Sequence, residues 1–175
     1  MSTEATMAAT IAGQIPVDTF RGGLLVVLEE LFERVHGYVL DPGTSLFETL
    51  ATISAAEASR PVSAHGACLA AQVNHVRFYI DLMNQNAQSE EPPRADWAAS
   101  WRVGPVTEDE WQELIERLRM AYQQVRQFAQ TFEAWDERFV GGAFALVGHC
   151  AYHLGGIRQG LGVLRSSDRS PAVVG

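Results

Sequence analysis

Apolar residues along this 175-residue chain recur at every third or fourth position, and alternating apolar-polar runs are almost absent. That is the period of amphipathic helices rather than of half-buried strands. Phe20, Leu24, Val27, Leu28, Leu31 and Val35 form one such stripe and predict a first helix over 18–36. Gly37 is its natural stop, and Asp41-Pro42-Gly43 reads as a turn. A shorter helix is expected over 45–58, before Arg60-Pro61, and a second long helix over 63–86. The proline-containing stretch from Ser89 to Arg94 breaks that helix, and a loop extends to Val106. Trp97 and Trp101 within the loop argue for packed, ordered chain. Thr107, with Glu110 at the third helical position, forms a capping box that opens a third long helix. Its buried side is expected to carry Trp111, Leu114, Ile115, Leu118, Ala121, Tyr122, Val125, Phe128 and Phe132. The fourth long helix is expected over 139–164. Four long amphipathic helices in a chain of this length predict an all-α protein, a four-helix bundle. The bundle domain is expected over 17–164, with 1–16 and 165–175 as flexible tails.

Composition narrows the partners. Hydrophobic residues make up 47% and charged residues 19%, a globular balance. The net charge is −8, and all 13 basic residues are arginine. With no basic tract to release counterions, nucleic acid and anionic membrane surfaces are disfavoured partners. The missing lysine excludes Schiff-base chemistry and a P-loop lysine. No apolar run approaches the roughly 20 residues needed to span a bilayer, and the first residues lack a leader-like basic start. A cytoplasmic protein is the expectation. Cys68 and Cys150 show no paired spacing, so neither a disulfide framework nor a CxxC motif is present.

Five histidines carry the candidate chemistry: His36, His65, His75, His149 and His153. His149 and His153 stand four apart, which points both imidazoles from one helix face as chelation of an ion requires. Gly142, Ala145, Gly156 and Gly160 project within about 40° of His149. A bundle core should carry large apolar groups there, so an inward stripe of two histidines and little else suggests a cavity holding a metal. Close packing of a neighbouring helix is the rival reading of the small residues. A third donor should come from another helix, and His75, set among apolar residues in the second long helix, fits best. His65 lies about 15 Å from His75 along the helix, too far to join. His36 reads as a cation at a helix C-terminus. Cys150 points about 100° away from the pair and reads as core, as does Cys68. Tyr79 is either a core aromatic or a hydroxyl donor into the site. The carboxylates, including Glu29, Glu30 and Glu33, are expected on solvated faces, leaving no convincing inward general base.

The stretch Gly148-His149-Cys150-Ala151-Tyr152-His153-Leu154-Gly155-Gly156-Ile157-Arg158 resembles the fourth-helix signature of the DinB/YfiT superfamily. So does Asn74-His75-Val76 in the second long helix. The segment from Ser45 to Leu50, with Ala55-Ala56-Glu57-Ala58 and Arg60-Pro61, is similar to the part of that family preceding its second helix, and Trp101 with Glu110-Trp111 adds a weaker echo. Gly156 departs from the pattern, where the family often has glutamine. The resemblance implies an up-down-down-up four-helix bundle whose His75, His149 and His153 bind a divalent metal, zinc or nickel. It also implies a homodimer, and relatives that are metal-dependent transferases and isomerases using low-molecular-weight thiols such as mycothiol.

Three functions are therefore in play. One is a metal-dependent enzyme that transfers such a thiol or hydrolyses a small substrate, since an open three-imidazole ion lowers the pKa of a bound water or thiol. The second is a non-catalytic metal- or ligand-binding stress or regulatory protein. Haem binding is the third, but the one-turn histidine spacing suits a compact ion better, and no CxxCH motif exists.

Overall fold

The computed structural model describes residues 14–63, 66–89, 91 and 94–169, and among these described residues seven helices form. They are α1 (Val17–Phe32), α2 (Leu46–Leu50), α3 (Ala55–Ser59), α4 (Leu69–Gln88), α5 (Trp97–Ser100), α6 (Glu108–Thr131) and α7 (Glu137–Arg169). The protein is all-α, and among the described residues the one departure from helix and loop is an isolated antiparallel bridge between Pro61 and Cys68. No described helix is long and apolar enough to cross a membrane. His65, which the helix spacing sets apart from the site, lies outside the described residues, as do most of the two expected tails.

The long helices pack through the stripes that the sequence pattern marks. α4 lies against both α6 and α7, and α1 against the same two. Leu28, Leu31 and Phe32 of α1, Val73, Val76 and Ile80 of α4, Trp111, Leu118 and Tyr122 of α6, and Leu154 and Ile157 of α7 meet in one apolar core. Burying such side chains contributes roughly 1.5–3 kcal/mol each. Phe32 stacks on Tyr122 with ring centroids 4.4 Å apart. The Trp111 indole, wholly enclosed, donates to the Ile53 carbonyl at 2.9 Å and ties α6 to the α2–α3 segment.

Several boundaries differ from the sequence expectation, each for a local reason. α1 stops at Phe32, four residues before His36. Glu30, expected on a solvated face, is fully buried. Its carboxylate accepts backbone N–H groups from Tyr38, Val39 and Leu40 at 3.0, 2.7 and 2.7 Å, so the chain must fold back over the helix end. Gly37, at φ +88°, permits that reversal. Burial opposes ionisation of Glu30, yet the hydrogen bonds from Val39, Leu40 and Tyr38 prevail and hold its pKa below the ordinary value.

The single short helix expected over 45–58 is two. Glu48 accepts from Ser45 and Glu57 from Ser54, so each of α2 and α3 has its own capping box. Ser45-x-x-Glu48 and Ser54-x-x-Glu57 are visible in the sequence and were the available signal. The capping box at Thr107 and Glu110 forms as expected. α4 begins at Leu69 rather than 63, after the bridged segment. α7 runs five residues past Leu164, into the stretch expected to be a tail. Arg165 pairs with Glu57 and Asp168 with Arg60, which fastens that last part of the helix to α3 and the chain just after it. On α6, Ala129 takes the last buried position, while Phe128 and Phe132 are half-buried in an aromatic cluster.

Candidate metal centre

His75, in the second turn of α4, faces His149 and His153 on α7. Ring centroids are 5.2 Å apart for His75 and His149, 4.8 Å for His75 and His153, and 4.5 Å for the pair on one helix. One nitrogen from each ring lies within 4.8 Å of the other two, so the three histidines could hold a metal ion. Two separate helices thus supply the donors, as the i,i+4 spacing and the isolated His75 require. No carboxylate or thiol of the described residues joins the group.

The orientation of His75 is settled by Ser100 at the end of α5. Ser100 is buried, and its Oγ lies 2.7 Å from His75 Nδ1. That hydroxyl donates its single proton to the Trp97 carbonyl at 2.7 Å. It must therefore accept from His75, which places the imidazole proton on Nδ1 and leaves the Nε2 lone pair for an ion. Asn74 holds α5 in position by donating to the Ser100 carbonyl at 2.7 Å. Asn74 in turn accepts from Arg77, which pairs with Asp81. The single helix α4 thus builds both a ligand and the support for its partner.

Aromatic rings pack the ligands on both sides. Trp101 stacks on His75 with centroids 4.1 Å apart, and Tyr79 stacks on His149 at 3.7 Å. Tyr79 therefore belongs to the site through its ring. Trp97 and Tyr152 flank the cluster and remain exposed, Trp97 at 6.1 Å from His75 and Tyr152 at 5.0 Å from His153.

Electrostatics favour neutral imidazoles. Burial, then repulsion from His153 and His75, lowers the pKa of His149 to about 4. Burial and His75 lower that of His153 to about 4, and burial alone depresses His75. All three donors keep their lone pairs at neutral pH, as coordination demands. His149 Nε2 is a buried polar atom with no hydrogen-bond partner. Leaving such an atom unmet costs about 1–3 kcal/mol, and an ion is the partner that this donor set fits.

The remaining candidates lie elsewhere. His36 sits beyond the end of α1 with Nε2 3.3 Å from Glu29. Cys150 is in the core, where burial pushes its thiol up to about 12. Cys68 occupies the cap position of α4 and its Sγ contacts the Val103 carbonyl at 3.6 Å. The small-residue stripe on α7 is inward only in part: His153 and Gly160 are buried, Gly142 and His149 half-buried, and Ala145 and Gly156 exposed. Ala143, Leu146, Cys150, Leu154, Ile157, Leu161 and Leu164 are the other buried positions of the helix, on its core side. His149 and His153 sit at the edge of that side, toward α4. The rival packing reading holds at Gly160, where an added Cβ would lie 3.0 Å from both Leu69 and Val62. Ser100 is the site residue that sequence reasoning missed. It lies in the stretch that the sequence reads as a loop without periodicity, and nothing in the pattern marks it.

Compared with protein-family models, with curated proteins and with solved structures, the chain matches none.

Proposed function

We propose that the protein is a divalent-metal-dependent enzyme that transfers a low-molecular-weight thiol or hydrolyses a small substrate. The observation that carries this reading is the convergence of three neutral imidazoles within 4.8 Å, one of them with a buried, partnerless nitrogen. Imidazole donors suit zinc or nickel. When bound, an ion with three uncharged donors supplies Lewis acidity that lowers the pKa of a coordinated water or thiol. His75, His149 and His153 hold it; Ser100 fixes the His75 tautomer; Trp101 and Tyr79 clamp two of the rings. Exposed Trp97 and Tyr152 line the approach and offer apolar surface to a substrate. The likeness of the His149–His153 stretch to DinB/YfiT proteins supports the same reading, along with an up-down-down-up four-helix bundle and a homodimer.

The test couples metal analysis to activity. Purified protein should carry close to one equivalent of zinc or nickel per chain, and metal-loaded protein should turn over thiol and electrophile pairs or simple esters. His75→Ala should lose both properties. Stoichiometric metal without turnover would instead assign the second reading, a non-catalytic metal-binding protein, which the lack of a carboxylate in the group favours. Absence of bound metal after reconstitution would reject both.

A further inference from the structure

The side of α7 turned away from the core is left open among the described residues. From Phe139 to Ile157 the helix has no charged residue, over a length of about 27 Å. A surface helix ordinarily shows charged or polar groups on that side. Here Gly141, Gly148 and Gly155 recur at seven-residue steps, opposite the core residue Cys150. All three are exposed, and a Cβ added at any of them would meet nothing within 4 Å. No contact inside the described chain therefore requires glycine there, and each glycine weakens the helix relative to alanine. Between the glycines, large rings stand in solvent: Phe144 is 67% exposed and Tyr152 77%.

The open surface continues across α1. A groove of about 580 Å³ runs between α1 and α7, walled by Phe20, Val26, Val27, Phe144 and Val147, and no charged residue lines it. Ile15 and Tyr38, 74% and 75% exposed, stand on the same groove. Exposed apolar surface gathered in one place marks a face that meets a partner. Two adjacent helices, each about 10 Å wide and open over about 27 Å, present roughly 550 Å² before side-chain relief. A specific interface buries about 600–1,000 Å² per partner, and with its projecting rings this face reaches that size.

The chemistry of the face selects the occupant. The net charge is −8, so two copies repel unless they meet through an uncharged surface. The face has no lysine or arginine to hold anionic lipid or nucleic acid. Seven-residue steps are the period of a seam between two helices, and here the large rings alternate with glycines. A two-fold pairing of two α7 helices sets the rings of each copy over the glycines of the other, as a self-complementary contact requires. We infer that the α1–α7 face is the surface through which two copies of this chain associate, with α7 packed on α7 at Gly141, Gly148 and Gly155. The inference rests on the homodimer reading and gives it an interface; it is independent of the metal.

The test is the oligomeric state of the full chain, by sedimentation over a range of concentrations. The wild type should be a dimer. Gly141→Glu and Gly155→Glu each place a carboxylate where the monomer has open space, so the monomer should fold with unchanged helicity. The dissociation constant should rise about 100-fold or more, because that charge is buried without a partner at the seam. Met120→Glu, at an exposed apolar position on α6, should leave the dimer intact. Hydroxyl-radical footprinting of the wild type needs no substitution: Phe144 and Tyr152 should become protected as the dimer forms, while Met120 stays reactive. All three variants should hold as much metal as the wild type, so the interface and the metal centre fail separately. A wild type that is monomeric throughout, including one that instead binds phosphatidylcholine vesicles, would overturn the inference and the homodimer together. A dimer unaffected by either α7 glutamate, or one in which Phe144 and Tyr152 stay reactive, would overturn the face and leave the homodimer standing.

Discussion

His75 Nδ1 and Ser100 Oγ meet at 2.7 Å, and the hydroxyl proton goes on to the Trp97 carbonyl. The four-residue helix α5 therefore decides which nitrogen of His75 is free. Replacing Ser100 with alanine should leave the helical fold intact and weaken metal affinity by about 10–100-fold, the usual effect of removing a residue that orients a ligand. Competitive titration against a chelator measures it, and an unchanged affinity would refute the role of Ser100.

His149 carries an unmet buried nitrogen beside a stacked Tyr79. A phenylalanine there keeps the stacking and removes the polar atom. His149→Phe is expected to lose metal binding while the metal-free protein melts at the same temperature or higher. Thermal melting with chelator present tests this. A marked loss of metal-free stability would mean that the nitrogen already has a protein or solvent partner.

Glu30 is the hinge of the first connection. Its loss as an ionised acceptor in Glu30→Gln turns an amide donor toward the Tyr38, Val39 and Leu40 N–H groups and should cost about 2 kcal/mol or more. Hydrogen exchange should quicken at those three amides ahead of the rest of the chain. Uniform protection in the variant would show that other contacts hold the loop.

Glu57 binds Arg165, and hydrogen bonds from Arg165 and Ser54 lower its pKa from 4.5 to about 2. The unfolded chain takes up this proton at a higher pH than the folded one. The contribution is therefore complete above about pH 4.5 and is lost as pH falls toward 2. Glu57→Gln should lower the melting temperature at neutral pH and flatten its decline across that window. Parallel pH profiles for variant and wild type would exclude a part for this pair.

Glycines on α7 should respond differently to alanine. At Gly162 an added Cβ meets nothing within 4 Å, whereas at Gly160 it meets Leu69 and Val62 at 3.0 Å. Gly162→Ala should stabilise by about 0.5–1 kcal/mol through helix propensity. Gly160→Ala should gain less or destabilise, because two packed side chains must yield. Denaturant unfolding of the two variants compares them directly.

The helical class, the stripe of α6 and the capping box at Thr107 were legible because each depends on residues a few positions apart, where helix period and capping act. His149 and His153 were legible for the same reason, since four residues make one turn. The helix boundaries at Phe32 and Arg169 were not. They depend on a buried Glu30 reaching across a loop and on Arg165 reaching Glu57, contacts between positions the linear pattern does not pair. The inward face of α7 was only partly legible because a helix of 33 residues carries both a leucine stripe and a glycine-histidine stripe. Only the neighbours α1 and α4 decide how each of them meets the core. Likewise His75 could be selected as an isolated imidazole in an apolar run, but its tautomer rests on Ser100, 25 residues away. Local periodicity determined what kind of elements form; packing between distant segments determined where they stop, which way they face and which lone pairs they leave free.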